Sequence, residues 1–250
     1  MELTGNTVLI TGGASGIGGG LAKAFHALGN QVIVAGRRRD RLDVFAKAHP
    51  GMATLELDIA DPAMVTAAVA TLVHEYPKLN VLINNAGLML SDDPGSSMDE
   101  QAAATQVAVN LLGPIYLTSA LMPHLRRQTR AHIVYTTSTL GFTPLALFAV
   151  YSATKAALHS YVLSQRFLLK ESTVTVQEIV PPWVGTGLAG TPDHPLVMPL
   201  EAFIQQTMEA LATDTLEVLV RQARVCRNNA GPDEHAFVDR LNTFFLGQSY

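Results

Sequence analysis

Short apolar runs alternate along the chain with longer stretches in which apolar residues recur at helical spacing. The apolar runs predict strands over residues 7–11, 31–35, 54–57, 81–83, 132–136 and 174–180. The stretches between them predict helices near 15–28, 40–48, 61–75, 98–124 and 152–170. Because strands of this kind separated by helices are typical of parallel sheets covered on both faces, the pattern predicts an α/β fold. We expect a doubly wound parallel sheet of the Rossmann type, with ligands bound at the carboxyl ends of its strands.

The chain shows no linker or repeat. Residues 1–250 are therefore interpreted as a single domain that binds a dinucleotide and carries out catalysis. Prolines and glycines are densest over residues 181–199. A loop this long inside a compact domain is often a lid, and we predict a substrate loop or lid at about 186–213. Residues 234–245 have helical character, but the sequence does not reveal the path of the tail.

Composition narrows the class of protein. The chain has 250 residues, of which 48% are hydrophobic, and a formal net charge of −4, which gives no general attraction to nucleic acid or anionic lipid. A single cysteine excludes an internal disulfide, and we see neither a signal peptide nor an apolar run that could cross a membrane. We therefore expect a cytoplasmic protein that binds neither nucleic acid nor membranes. The histidines show no metal-ligand spacing, and no metal site is predicted.

The first predicted strand runs directly into a glycine-rich turn that contains Gly12, Gly16 and Gly18. Glycine allows positive φ angles and close approach of a ligand to the backbone, and the N-terminus of the following helix favours a pyrophosphate group. The turn predicts nucleotide binding, although a tight packing turn between strand and helix would have the same appearance.

The second predicted strand is followed by Gly36 and Arg37 instead of an acidic residue. An acidic side chain here would bond the ribose of NAD, whereas arginine suits the 2′-phosphate of NADP. We predict that NADP(H) is preferred and that NAD(H) is possible. Arg39 and Arg41 are interpreted as residues of a solvated helix start. Asp58, after the third strand, could contact the adenine amino group or cap the next helix, and the two roles are compatible.

Polar residues that could carry chemistry follow the later strands. Asn84–Gly87 ends the fourth strand, and Asn110 lies within an apolar helical stretch, where a polar side chain needs a buried hydrogen bond or a water site. Ser138 belongs to a run of four hydroxyl residues after the fifth strand. Tyr151 and Lys155 share one face of the next helix, so that the ammonium could lower the phenol pKa from its usual value of about 10.

Taken together, these motifs resemble the single-domain short-chain dehydrogenase/reductase family over about residues 7–188. The glycine motif of that family matches Thr11, Gly12, Gly16, Ile17 and Gly18, and its Asn-Asn-Ala-Gly motif matches residues 84–87. The double proline at 181–182 and the sequence around Tyr151 look like a subgroup of oxidoreductases labelled after the D-alanyl–lipoteichoic acid operon.

The resemblance implies specific roles for the matching residues. Tyr151 would transfer a proton to or from the substrate oxygen, which Ser138 would hold. Lys155 would bind the nicotinamide ribose and lower the Tyr151 pKa, and Asn110 would support a water that relays protons to Lys155. Further cofactor contacts are expected from Ser15, Ile17, Gly18, Arg38, Asp58, Ile59, Asn84, Ala86, Gly87, Pro181, Val184 and Thr186.

The expected substrate pocket is apolar. Its walls are predicted to include Leu88, Leu140, Trp183 and Leu188, together with the segment that extends from Leu188 to Met198. Since no arginine or lysine is available there for a carboxylate or phosphate, we predict an uncharged hydrophobic ketone or secondary alcohol as the substrate. The resemblance also implies a homodimer or homotetramer built on helices 98–124 and 152–170. The final strand of the family is not visible in the sequence, which puts the tetramer interface in doubt.

Two other functions share parts of this pattern. A nucleotide-sensing regulator could keep the fold without catalysis, but such proteins typically lose the Tyr/Lys pair, which is intact here. A sugar-nucleotide epimerase or dehydratase uses the same pair, but usually needs a longer C-terminal substrate domain.

Overall fold

The structure is a computed structural model that describes residues 1–188, 194–228 and 231–246. Within them, seven parallel strands form one sheet in the order β3-β2-β1-β4-β5-β6-β7. The strands are β1 (Thr7–Thr11), β2 (Gln31–Gly36), β3 (Ala53–Glu56), β4 (Leu79–Asn84), β5 (Ala131–Thr136), β6 (Val174–Ile179) and β7 (Glu217–Val218). This architecture confirms the predicted doubly wound sheet.

Helices cover both faces of the sheet. They are α1 (Gly16–Ala27), α2 (Arg39–Ala48), α3 (Pro62–Glu75), α4 (Glu100–Val107), α5 (Gly113–Leu125), α6 (Ala149–Leu169), α7 (Leu200–Leu211), α8 (Ala223–Arg227) and α9 (Glu234–Leu246). A π-helical segment (Ala108–Leu112) connects α4 to α5, and short 3₁₀ turns (Thr139–Gly141 and Ala146–Phe148) precede α6. None of the described helices is long and apolar enough to cross a membrane. The cytoplasmic location stays a prediction.

Alternating side chains of the central strand divide the core between the two faces. Val8 and Ile10 point into a cluster completed by α1 and α7, whereas Leu9 belongs to the opposite cluster with α3, α5 and α6. All three side chains are fully buried, and burial of each stabilises the fold by about 1.5–3 kcal/mol. The central strands are therefore apolar on both faces, which explains the unbroken apolar runs in the sequence.

The strand order reverses beside β1, which pairs with β2 on one side and with β4 on the other. Connections leave in opposite directions at such a position, and the diverging loops open a crevice at the carboxyl ends of the strands. The glycine turn after β1 lies at this crevice.

The C-terminal part differs from the sequence prediction in two respects. The final strand that we could not find is present as β7, which pairs Val218 with Ile179 but has only two residues, too few to produce an apolar run. The segment 186–213, predicted as a loop, contains α7, whose Phe203 is fully buried in the core. Residues 189–193 of that segment lie outside the described residues, and its role as a lid stays a prediction.

Candidate active site

A cavity of about 1320 Å³ follows the carboxyl edge of the sheet. The loops after strands β1 to β6 all contribute to its lining, and α9 closes one side. Fifteen of the predicted cofactor contacts line it: Gly12, Ser15, Gly16, Ile17, Arg37, Arg38, Asp58, Ile59, Ala86, Gly87, Tyr151, Lys155, Pro181, Val184 and Thr186. The fold thus brings residues that are far apart in the sequence to one continuous surface.

The turn after β1 places backbone against this surface. Gly12 and Gly16 adopt φ angles of 65° and 52°, which residues other than glycine rarely adopt. A Cβ atom at Gly12 would lie 2.9 Å from Ala86 Cα, so the turn needs glycine for space as well as for conformation. Gly18 does not line the cavity: a Cβ there would lie 2.4 Å from Asn85 Nδ2, which makes its role one of close packing.

Three arginines lie at the end of the cavity formed by β2. Arg37, Arg38 and Arg41 line it, whereas Arg39 pairs with Asp43 at 2.9 Å on the surface of α2. The interpretation of Arg39 as a solvated helix residue agrees with this placement. The same interpretation of Arg41 is incomplete, because its exposed side chain is also part of the cavity lining.

Asp58 lines the cavity but does not cap the following helix. Its carboxylate accepts a hydrogen bond from the Ala60 amide at 3.0 Å, within the turn after β3. The cap of α3 is Asp61, which accepts hydrogen bonds from the Ala63 and Met64 amides at 2.8 and 3.2 Å. Of the two roles considered for Asp58, only the one at the adenine side is consistent with this geometry.

The two asparagines at the carboxyl end of β4, Asn84 and Asn85, face in different directions. Asn84 is buried, donates a hydrogen bond to Thr118 Oγ1 at 2.8 Å and does not line the cavity. Asn85 lines the cavity, and its side-chain amide donates to the Thr11 carbonyl oxygen at 3.0 Å. Asn85 thus joins β4 to β1 across the crevice. The sequence prediction named Asn84 as the cofactor contact instead of Asn85, because the sequence does not reveal which of two successive residues at a strand end faces the cavity.

Asn110 occupies the π-helical segment that interrupts the predicted helix 98–124. Its Oδ1 accepts a hydrogen bond from the Leu88 amide at 2.9 Å, and its Nδ2 donates to the Leu88 carbonyl oxygen at 2.8 Å. Nδ2 also lies 3.3 Å from Thr154 Oγ1 on α6. The buried hydrogen bond that a polar residue requires at this position is therefore made with the chain after β4, and π-helical segments of this kind occur frequently at functional sites.

Ser138, Tyr151 and Lys155 all line the cavity and lie close to one another. Ser138 follows β5 and hydrogen-bonds to Tyr151, which lies in the first turn of α6. Lys155 extends from the next turn, and its Nζ donates to the Thr136 carbonyl oxygen at 2.9 Å. All three side chains are buried, with exposed fractions of 7, 6 and 4%. This arrangement offers a phenol, a hydroxyl and an ammonium to one bound oxygen atom.

Burial dominates the ionisation of both α6 residues. It raises the pKa of Tyr151 to about 12, while the hydrogen bond with Ser138 acts in the opposite direction. Burial also lowers the pKa of Lys155 to about 8, and the negative charge of Glu178 opposes that change. The sequence led us to expect that Lys155 would lower the Tyr151 pKa. In the structure the Tyr151 pKa is raised, because loss of hydration outweighs any neighbouring charge.

The far half of the cavity is apolar. Leu140, Trp183 and Leu188 line it as predicted, whereas Leu88 packs against the core on the side of α5 and does not reach the cavity. Other walls include Leu145, Leu147, Phe148, Leu196 and Val225. The charged residues among the described lining are Arg37, Arg38, Arg41, Asp58 and Lys155, and none of these belongs to the loops or helices of the far half.

Helix α9 forms a wall that the sequence did not assign. Phe237, Leu241 and Phe245 line the cavity, and the Phe245 ring lies 6.0 Å from that of Trp183. Asn242 attaches the helix to the loop before α6 by accepting a hydrogen bond from the Ala146 amide and donating one to the Pro144 carbonyl oxygen. The spacing of Phe237, Leu241 and Phe245 places them on one helix face and was the available signal.

The chain is similar to several known proteins over most of its length. Its sequence is 36% identical over 249 residues to the uncharacterized oxidoreductase DltE of Bacillus subtilis, covering 97% of this chain and 99% of that protein. It is 35% identical over 179 residues to the NADP-dependent 3-hydroxy acid dehydrogenase YdfG of Salmonella typhi, covering 71% of this chain and 72% of the relative.

A solved structure agrees closely in fold. A short-chain dehydrogenase from Burkholderia cenocepacia, in complex with NADP, superimposes with a TM-score of 0.85 at 25% identity, covering 96% of this chain and 99% of that one. The model of the short chain dehydrogenase family matches residues 6–194, which include the glycine turn and the three converging side chains. The chain is an oxidoreductase that belongs to the short-chain dehydrogenase family.

Proposed function

We propose that the protein is an NADP(H)-dependent carbonyl reductase or secondary-alcohol dehydrogenase that acts on an uncharged hydrophobic ketone or alcohol. The observation that carries this proposal is the convergence of Ser138, Tyr151 and Lys155 in one cavity whose lining also includes a group of arginines and a large set of apolar side chains. A carbonyl group held beside these three residues would have polar groups on its oxygen and apolar walls around its substituents.

The residues of the charged half fit NADP(H). The glycine turn leaves room for backbone contact with a pyrophosphate, and the first residues of α1 line the cavity beside it. Arg37, Arg38 and Arg41 would hold the 2′-phosphate, because the planar guanidinium group matches phosphate geometry. Thr186 would contact the carboxamide and Lys155 the nicotinamide ribose. When bound, NADPH supplies the hydride that reduces the carbonyl carbon.

Tyr151 is suited to donate the proton that the reduction requires. Its raised pKa keeps the phenol protonated at neutral pH, and the Ser138 hydroxyl holds the substrate oxygen beside it. The proton moves from the Tyr151 oxygen to the substrate oxygen as the carbon–oxygen double bond becomes a single bond. In the oxidation direction the phenolate form of Tyr151 removes the same proton from the alcohol. A buried positive charge on Lys155 stabilises the phenolate that remains after transfer.

Asn110 has a supporting part in this proposal. Its two hydrogen bonds with the Leu88 backbone fix the chain after β4, and its bond to Thr154 joins that chain to α6. After each reduction Lys155 would pass a proton to the Tyr151 phenolate, and a water held near Asn110 would then return a proton to Lys155.

The apolar half favours an uncharged substrate over a hydroxy acid. A carboxylate buried there would need an arginine or lysine, because desolvation of an unpaired charge is costly. Among the described lining residues, the cations lie at the cofactor end or at Lys155. This chain therefore differs in expected substrate from its relative that acts on 3-hydroxy acids. Segment 186–213 and α9 would together cover the bound substrate.

Consumption of NADPH in the presence of aryl ketones, diketones and keto acids tests the proposal. We expect turnover of the uncharged ketones and weak or no turnover of the keto acids. Preference for keto acids would overturn the substrate assignment. Tight NADPH binding with no turnover of any carbonyl would favour a nucleotide-sensing regulator, which the intact catalytic group argues against.

An exposed apolar surface on α5 and α6 supports assembly as a homodimer or homotetramer. Leu163, Phe167 and Leu168 on α6 are exposed by 46, 67 and 76%, and Tyr116 on α5 by 45%. Exposed apolar patches commonly mark protein–protein interfaces. We propose that a second copy of the chain packs on this surface.

A further inference from the structure

Glu178 is a buried acid that the proposed mechanism does not use. It lies on β6 close to its carboxyl end, and its side chain is completely buried. An isolated carboxylate is costly to bury, so its partners indicate why it is there.

Both partners of Glu178 belong to elements that carry the reacting groups. The Thr137 hydroxyl donates a hydrogen bond to Glu178 Oε1 at 2.7 Å, and Thr137 directly precedes Ser138. His159 Nδ1 lies 2.8 Å from Glu178 Oε2 and 3.0 Å from Oε1, and His159 lies one turn beyond Lys155 on α6. The carboxylate therefore joins the end of β5 to the helix of Tyr151.

We propose that Glu178 is a positioning residue: its carboxylate fixes Ser138 relative to Tyr151 through Thr137 and His159, and supplies a negative charge that acts on the Lys155 ammonium. This inference rests on the proposed function for its catalytic meaning. On this proposal β6, which contributes no reacting group, aligns the end of β5 with α6, the two elements that carry Ser138 and Tyr151.

The charged groups around Glu178 have partners of their own. Arg227 binds both oxygens of Glu217 at 2.7 and 3.0 Å, and Arg166 is held by the Val176 and Leu216 carbonyl oxygens. Glu178 acts electrostatically on Arg166 and Arg227 as well as on Lys155. His159, Glu178 and Glu217 lie close enough to hold a metal ion, with ligand atoms within 4.8 Å of one another. Because Arg227 already occupies both oxygens of Glu217, the cluster balances its charge with side chains, and we favour positioning over metal binding.

The effect of the Glu178 charge on Lys155 is tested by titration of Lys155 in the full-length protein. Lysine labelled with a stable isotope allows its ionisation to be followed by NMR, and Lys155→Arg identifies the signal by its disappearance. Glu178→Gln keeps the shape and the acceptor oxygen but removes the charge, and should lower the Lys155 midpoint by about one pH unit. Glu217→Gln is the matched control, since it removes a neighbouring charge that pairs with Arg227, and should leave the midpoint unchanged.

The positioning role of Glu178 is tested by removing the Thr137 hydroxyl, which binds Glu178, without changing any charge. Thr137→Val should lower kcat for ketone reduction about tenfold or more, with NADPH affinity and the Lys155 midpoint unchanged. Thr137→Ser retains the hydroxyl and should recover most of the lost activity, which a merely structural role would not predict.

The outcomes separate this inference from the proposed function. Equal Lys155 midpoints in the wild type and Glu178→Gln overturn the inference whether or not the enzyme turns over a ketone. Unchanged kcat in Thr137→Val also overturns it. If the wild type reduces no carbonyl while the midpoint shifts, the proposed function fails and the effect of Glu178 on Lys155 stands.

Discussion

The Lys155 ammonium lies 5.6 Å from the centre of the Tyr151 ring, and both side chains are buried one turn apart on α6. The ammonium is fixed from the opposite side by its hydrogen bond to the Thr136 carbonyl oxygen. Helix and strand end thus hold the cation in one place, where its charge can act on the phenol. The following predictions depend on this geometry and on the cavity around it.

Removal of the Tyr151 hydroxyl should abolish catalysis without affecting the fold. We expect Tyr151→Phe to lower ketone turnover at least about a thousandfold, because the proton donor is lost while the ring still fills its site. NADPH affinity, measured by fluorescence titration, should stay close to that of the wild type. Tyr161→Phe removes a phenol on the same helix outside the cavity and should retain activity. Activity of Tyr151→Phe near the wild-type level would contradict the proton-donor role.

Burial of Lys155 should cost stability in a way that depends on pH. The folded pKa is about 8, below the usual value of 10.5, so the unfolded chain binds more protons between these values. Stability from this group therefore rises as the pH increases from about 8 to 10.5. Lys155→Met should raise the free energy of unfolding at pH 7 by up to about 3 kcal/mol.

That gain should shrink as the pH approaches 10, because the folded-state lysine is then already neutral and the pH lies close to the pKa of the unfolded-state lysine. Urea unfolding of the two proteins at both pH values measures the difference. A gain that is the same at both pH values would contradict the assignment to Lys155 ionisation.

Arg37 should select for the phosphorylated cofactor. Arg37→Ala should weaken NADPH binding roughly tenfold to a hundredfold, since one charge-assisted contact is lost, and should affect NADH much less. Arg39→Ala is the matched control, because Arg39 pairs with Asp43 and does not line the cavity. Calorimetric titration with both cofactors gives the comparison. Equal losses for NADPH and NADH would overturn the preference.

Asn242 should control how well α9 covers the substrate. Asn242→Ala removes its hydrogen bonds to Ala146 and Pro144 and should raise KM for a hydrophobic ketone, with NADPH affinity unchanged. We expect KM to rise about fivefold to tenfold, which corresponds to the loss of one or two hydrogen bonds. Thr243→Ala alters an exposed neighbour on the same helix and should have no effect. An unchanged KM in Asn242→Ala would show that the attachment of α9 does not influence substrate binding.

A charge on the exposed face of α6 should disrupt assembly. Phe167→Asp should shift the protein to a smaller species in size-exclusion chromatography with light scattering, because an unpaired carboxylate opposes burial of this surface. Val44→Asp introduces the same change at an exposed position of α2 and should leave the oligomer intact. A wild-type protein that is monomeric at all concentrations would refute the proposed assembly.

Local patterns in the sequence determined the sheet, the glycine turn and the pairing of Tyr151 with Lys155. Apolar runs and helical spacing are properties of neighbouring residues, and the order of strands and helices leaves few ways to form a parallel sheet. The position of Ser138 within its run of hydroxyl residues came from family resemblance, because four adjacent hydroxyls have the same chemistry.

Only the tertiary structure decided which side chains face the cavity. Asn84 and Leu88 turn into the core while Asn85 and Met89 line the cavity, a choice made by packing against α5 and not by residue type. The rise of the Tyr151 pKa follows from burial, which depends on the whole fold. The carboxylate of Glu178 between Thr137 and His159 likewise joins residues from three elements, and contacts between distant parts of the chain leave no periodic trace in the sequence.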